Sequence, residues 1–255
     1  MYCHDLIYKE YLQEQGQKMP RERYLTYYRD FAKYYGLELI ESSAFYGSQL
    51  EGSELLNPVM DELAQCYSLN EVGACIFADW VEDFDPEYSA LGPYVVDRYK
   101  LSSNLFNIVD QGLLSVITAL KLAKVSLEGK NALILSFDQT TVTQFIGVPE
   151  LRPDGSGAAA LYLSASPQSA YFEIVEAEIL DSQKAFLLDD LKKKLNLQDL
   201  SLIEVNGIGL MPFYKKLQDF KENADPGHYV LFVPDVETES CGYVLVYKRK
   251  KDENI

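Results

Sequence analysis

The sequence predicts an α/β protein of two similar halves, each built from βαβ units with helices on the sheet faces. Three observations carry that reading. Short, nearly continuous apolar runs such as ACIFADW (74–80) and NALILSF (131–137) read as strands buried on both faces, the habit of parallel sheets. Helical patterns alternate with such strands throughout. The texture then repeats, because the stretch from GAAALYLSA (157–165) and YFEIVEAEIL (171–180) onward gives two strands, then helix, strand, helix and two closing strands.

Residues 1–36 read as a Tyr-rich helical extension. RERYLTYYRDFAKYY places Tyr24, Tyr27, Tyr28, Phe31, Tyr34 and Tyr35 at helical spacing and ends at Gly36, a natural C-cap. That aromatic stripe packs either on its own domain or on a partner subunit. LELIESSAFYG (37–47) reads as a strand, and NPVMDELAQCYSL (57–69) as a helix with Asn57 as N-cap and Pro58 at its first position. After ACIFADW comes the acidic, turn-rich VEDFDPEYSALGPY (81–94), a short helix VVDRYK, the strand LFNIV, and a helix entered through Gln111-Gly112-Leu113. NALILSF and GAAALYLSA (157–165) complete a first half over 37–180. A shorter second half over 181–255 holds the helix AFLLDDLKKKLNL (185–197), the strand LSLIEVNGIG (200–209) ending in glycines, and the helix MPFYKKLQDFK (211–221). HYVLFVPD (228–235) and CGYVLVYKR (241–249) are its last two strands.

Composition narrows the function classes. At 255 residues and 47% hydrophobic, the chain can bury a sizeable core. A net charge of −16 repels a phosphate backbone, so nucleic acid is not expected as a partner. No apolar run approaches the roughly 20 residues that span a bilayer. The four cysteines form no C-x-x-C pair and the opening MYCHDLIYKE does not read as a leader, so free thiols in a reducing cytoplasm are expected. His4 and His228 stand far apart without ligand spacing, and the acidic run at Asp83, Asp85 and Glu87 lacks a calcium loop's glycine and distal glutamate. Neither a metal nor a cofactor is called for.

Several stretches, in order, resemble the thiolase superfamily, and more narrowly β-ketoacyl-ACP synthase III and its chalcone-synthase-like relatives. Gln111-Gly112-Leu113 with Ala119-Leu120-Lys121-Leu122-Ala123-Lys124 is similar to that family's nucleophile helix. DGSGAAALYLS (154–164), ALGPYVVDRYKL (90–101) and the ending GHYVLFVPDVETESCGYVLVYKR resemble further segments of it. The resemblance covers about residues 37–250. It implies a layered α-β-α-β-α fold of two pseudo-repeated halves, here with the second half shortened.

In that family a cysteine at the start of the buried helix takes the acyl group, and a His and an Asn complete the site. On this alignment Leu113 stands at the cysteine position and Asn206 near the His position, while KENADP (221–226) leaves no room for the Asn turn. Leucine has no lone pair to attack with, so acyl-enzyme formation at Leu113 is chemically closed. The next hydroxyl, Ser115, falls within the first helical turn and faces elsewhere. Leu113 then either fills the vacated pocket or walls a surviving acyl pocket, and Asn206 either shapes the turn before Gly207 or contacts a ligand. Glu87 and Tyr88 hold the position of a loop that, in relatives, completes a partner's acyl pocket; a solvated acidic loop is the other reading.

The resemblance therefore implies a catalytically inactive subunit that pairs with an active thiolase-fold synthase in secondary-metabolite or fatty-acyl biosynthesis. The alternatives are a homodimeric scaffold holding acyl-CoA or an acyl-carrier protein, and an acyltransferase or hydrolase that uses the remodelled pocket without a covalent step.

Overall fold

In the computed structural model the described residues are 1–11, 21–38, 50–80, 91–109, 111–127, 130–140, 152–153, 155–181, 188–197, 199–235 and 240–250. Among them, nine strands form one sheet in the order β3-β2-β4-β5-β1-β6-β9-β8-β7. The strands are β1 (Tyr2–Tyr11), β2 (Val72–Ala78), β3 (Asn104–Ile108), β4 (Asn131–Asp138), β5 (Ser156–Ser164), β6 (Phe172–Leu180), β7 (Leu200–Glu204), β8 (Gly227–Pro234) and β9 (Cys241–Lys248). The described helices are α1 (Arg21–Tyr34), α2 (Gly52–Cys66), α3 (Leu91–Tyr99), α4 (Leu114–Ser126), α5 (Leu188–Leu195) and α6 (Met211–Asn223).

The internal repeat is visible in the pairing. In the first half β1 lies antiparallel to β5, β5 antiparallel to β4, and β4 parallel to β2. In the second half β6 lies antiparallel to β9, β9 antiparallel to β8, and β8 parallel to β7. So β1, β5, β4 and β2 correspond to β6, β9, β8 and β7. Among the described residues, strand pairing between the halves is confined to Tyr2 and Cys3 with Glu173 and Phe172. β3, parallel to β2, has no counterpart. Only residues 205–210 separate β7 from α6 and 224–226 separate α6 from β8, so the second half omits the α3–β3 unit outright.

Three apolar clusters show the layers. Leu55, Leu56, Val59, Met60 and Leu63 of α2 cover one face of the first half with Val95 of α3. Leu191 of α5 covers the outer face of the second half with Val230, Tyr243 and Leu245. Between the halves lie α4 and α6, whose Val116, Ile117, Leu120, Phe213, Tyr214 and Leu217 pack with Ile134 and Leu161 of one half and Leu231 and Val244 of the other. The order is α-β-α-β-α. α4 returns from β3 toward the middle of the sheet and α6 returns from β7, and a right-handed return in that sense sets its helix on the inner face. With both sheets pressing on it, α4 is apolar on most of its circumference.

Several expectations are corrected here. Residues 2–11 are not part of a helical extension; they form β1, the strand at which the halves meet. Their apolar residues do not alternate cleanly because the register shifts between Cys3 and Asp5, and because Leu6 faces the central layer while Ile7 faces α2. The boundary between halves falls in the β5–β6 connection, since β6 pairs with β9 rather than with β5. α2 begins at Gly52, not Asn57, because Glu51 and Glu54 form a capping box there and Pro58 is tolerated inside the helix. At the end of α1 and just beyond it, Tyr34 is 83% and Tyr35 60% exposed, while Phe31 is half-buried. The predicted strand 37–47 lies largely outside the described residues, as does the acidic loop 81–90.

Candidate functional site

Each central helix starts from a glycine turn. β3 leads through Gln111-Gly112 into α4, with Gly112 at φ +53° and the amide of Ser115 donating to the Gly112 carbonyl at 3.2 Å. A side chain on Gly112 would begin 3.0 Å from Asp235 Oδ1 and close to the Trp80 ring. Leu113 follows with helical dihedrals and 1% exposure, inside the central apolar cluster. The Ser115 hydroxyl, also buried, donates to the Gly112 carbonyl at 2.9 Å and is occupied as a helix back-bond rather than poised for attack. Gln111 is exposed, and its Oε1 accepts the Thr118 hydroxyl at 2.6 Å.

The second half builds the same arrangement. β7 leads through Asn206-Gly207-Ile208-Gly209 into α6, with Gly207 at φ +132° and Gly209 at φ +91°. Asp138, at the end of β4, accepts the amides of Leu210 and Met211 at 2.9 and 2.8 Å and so caps α6 from the other half of the molecule. A Cβ at Gly209 would lie 2.3 Å from Asp138 Oδ2, so only glycine leaves room for that carboxylate. One turn along α6, the buried Tyr214 hydroxyl shares a 2.7 Å hydrogen bond with Ser136 of β4. Asp235 stands at the end of β8 as Asp138 stands at the end of β4. Each half therefore presents an aspartate to the glycine turn of the other's central helix.

Electrostatics follow burial. Asp138 is 1% exposed, and desolvation pushes its carboxyl up to about 7 against the lowering pull of the two amides. Burial likewise raises the Tyr214 hydroxyl. Burial pushes the Cys75 thiol up to about 12 and raises those of Cys3 and Cys241, so none of these three is an activated thiolate. His4 bonds Ser164 Oγ at 2.7 Å from β1, and His228 stacks on Tyr247 from β8; the two histidines share no site.

A pocket of about 450 Å³ opens beside the start of α6. Glu10 and Tyr11 at the end of β1, Gly155 and Ser156 at the start of β5, and Asp138 form one side. Asn206, Gly207, Ile208, Met211 and Pro212 form the other, with Lys215 and Lys216 at the rim. Glu10 accepts from Lys215 at 3.2 Å and from the Tyr8 hydroxyl, which together hold its carboxyl below the usual range.

The residues singled out in the sequence do not converge. Asn206 lines the pocket and is exposed, whereas Gln111, Gly112 and Leu113 lie at the other central helix and line no part of it. Glu87 and Tyr88 lie outside the described residues. Sequence reasoning missed Asp138 and Asp235. The signal was present: both end a buried strand, LILSFD and LFVPD, and both face a glycine that precedes an apolar helix. No helix among the described residues is long and apolar enough to cross a membrane.

No protein-family model matches the chain, and no curated protein matches it in sequence. Solved structures do match in fold. AbyA1, described as a tetronic acid condensing enzyme, superposes with a TM-score of 0.67 at 10% identity over 96% of this chain and 99% of its own. ChlB3, described as an acyltransferase, gives 0.65 at 11% identity over 100% and 99%. OleA of Xanthomonas campestris, in a variant form, gives 0.63 at 10% identity over 96% and 98%. With layers, internal repeat and overall superposition in agreement, the chain has the thiolase fold of these ketoacyl-synthase-III-like condensing enzymes and acyltransferases.

Proposed function

We propose that this protein is a non-catalytic thiolase-fold subunit that pairs with an active condensing enzyme of the same fold, in secondary-metabolite or fatty-acyl biosynthesis in the cytoplasm. The observation that carries the reading is Leu113: the start of α4 is closed by a buried apolar side chain, with Asp235 against the glycine before it. A helix start that would stabilise a thiolate or an oxyanion is here already facing a carboxylate, which disfavours further negative charge. The shortened second half supports the same conclusion, because without the α3–β3 counterpart there is no place for a third catalytic residue following such a strand.

The partner's place is supported by β3. It is an edge strand without charge or proline, NLFNI, and Leu105 on it is 40% exposed. Long-lived exposure of such an edge is unfavourable, and a second thiolase-fold subunit laid edge to edge covers it. Co-expression with thiolase-fold condensing enzymes of the same genome, followed by size exclusion, tests the proposal. Copurification at a one-to-one ratio is expected, and Glu87→Ala is expected to slow the partner's turnover without dissociating the complex. A stable homodimer that turns over acyl-CoA by itself overturns it in favour of a non-covalent hydrolase.

A further inference from the structure

The pocket at α6 carries charges of opposite sign at its two ends. At its floor Asp138 uses one acceptor position on each oxygen, Oδ1 for the Leu210 amide and Oδ2 for the Met211 amide. A carboxylate has about four such positions, so acceptor capacity remains. At the rim Lys215 is spent on Glu10, but Lys216, one residue on, has no ion-pair partner among the described residues. Between the two ends run Tyr11, Ile208, Met211 and Pro212. Asn206 adds an amide, exposed and without a hydrogen-bond partner among the described residues.

We propose that this pocket binds a small zwitterion whose two charges are held apart by an apolar chain, such as a straight-chain ω-amino acid, its ammonium group on Asp138 and its carboxylate at Lys216. An anion alone would meet the Asp138 carboxylate, and an apolar molecule alone would leave that carboxylate without a counter-charge. A cation alone would satisfy Asp138 but gain nothing at the rim. An ammonium brought to a buried, hydrogen-bonded carboxylate makes a charge-assisted contact that water competes for poorly. The about 450 Å³ available lies within the range of roughly 300–1,000 Å³ usual for small-molecule sites.

The site is built by two local features: Gly209 makes room for Asp138, and only residues 205–210 lead from β7 into α6. It stands apart from Leu113, so it is independent of the pairing proposed above. The charged and titratable groups around Asp138 are Tyr8 and Glu10 from β1, Tyr214, Lys215 and Lys216 from α6, and Asp79 at the end of β2. Asp138 is the one among them whose carboxyl is raised to about 7. Binding of an ammonium therefore requires its ionised form and tightens as pH rises from 6 to 8.

Calorimetric titration of the full chain with 6-aminohexanoate, pentylamine and hexanoate tests the assignment. The ω-amino acid is expected to bind, the amine more weakly and the acid least, with 6-aminohexanoate affinity increasing between pH 6 and 8. Asp138→Asn is expected to weaken 6-aminohexanoate and the amine by about tenfold or more. Because that substitution also touches the α6 cap, Lys216→Glu provides a separate reading: it leaves the cap intact and should weaken 6-aminohexanoate several-fold while sparing the amine. Failure of 6-aminohexanoate to bind, binding of the acid as tight as that of 6-aminohexanoate, or a Lys216→Glu protein that binds 6-aminohexanoate unchanged overturns the assignment. None of these results bears on whether a synthase copurifies.

Discussion

Gly209→Ala isolates the interaction that ties the halves together. The substitution places a methyl group 2.3 Å from Asp138 Oδ2, on a residue held at φ +91°. The backbone component costs about 1–3 kcal/mol, because a residue with a side chain is strained there. Displacing the carboxylate loosens two amide bonds made to a charged group at a buried helix end, a further cost of about 1–3 kcal/mol. The sum is roughly 2–6 kcal/mol. For a chain of this size each kcal/mol moves Tm by about 2–4 °C, so a drop on the order of 5–20 °C is expected by calorimetry. The cycle with Asp138→Ala separates the two components. In that background the methyl group meets no carboxylate, so only the backbone cost remains and the pair is non-additive by about 1 kcal/mol or more. Additivity within about 0.5 kcal/mol would refute the claim that Gly209 exists to admit Asp138.

Asp138 also sets a pH dependence. Its folded carboxyl is raised from 3.8 to about 7, so its contribution to stability is fully present below the ordinary carboxylate range and is lost as pH rises toward 7. At about 1.4 kcal/mol per pH unit the full window spans roughly 4 kcal/mol. Denaturant midpoints of the wild type should accordingly fall between about pH 4 and 7 and level off above, and Asp138→Asn should flatten that slope; an unchanged slope would assign it elsewhere. Leu113→Ala, which empties a site 1% exposed, should cost about 2–5 kcal/mol in equilibrium unfolding. A cost below about 1 kcal/mol would mean that Leu113 walls an open pocket. If the protein is the non-catalytic subunit proposed above, Leu113→Cys should not confer condensation of acyl-CoA, because Asp235 stands against the helix start; measurable condensation would overturn that reading.

The helices and strands that pack within one layer were legible in the sequence, because burial on both faces writes itself as apolar runs. LFNIV, NALILSF and the closing strands all fall within a residue or two of β3, β4, β8 and β9. β1 was not legible. Its tyrosines match a helical stripe as well as a strand, and the irregularity after Cys3 breaks the alternation that would have exposed it. α2 was placed late because Pro58 imitates a first helical position, while the Glu51–Glu54 box that starts the helix is an uncommon pairing of residues. At the site, the apolar character of Leu113 is legible in the chain alone because it is a local chemical fact. The cap made by Asp138 and the approach of Asp235 to Gly112 could not. Each joins residues far apart in sequence, 72 positions in the case of Asp138 and Leu210, and only the folded sheet brings them together.

Those long-range contacts make a further prediction about how the molecule holds together. Each central helix is covered by both halves: α4 meets β2 and β4 on one side and β6 and β9 on the other, and α6 meets β1 and β5. Each also begins against an aspartate of the opposite half. Direct strand pairing between the halves is confined to Tyr2 and Cys3 with Glu173 and Phe172. The halves are thus joined through the helices rather than through the sheet. Cutting the chain in the exposed turn 165–169, between β5 and β6, should leave two fragments neither of which folds alone. The first would expose Val116, Ile117 and Leu120 of α4, and the second Phe213, Tyr214 and Phe220 of α6, apolar faces too large for water to tolerate. Co-expressed, the fragments should assemble into a folded pair with the circular dichroism of the intact chain. Cooperative unfolding of the first fragment by itself would show that the sheet, and not the pair of helices, carries the fold.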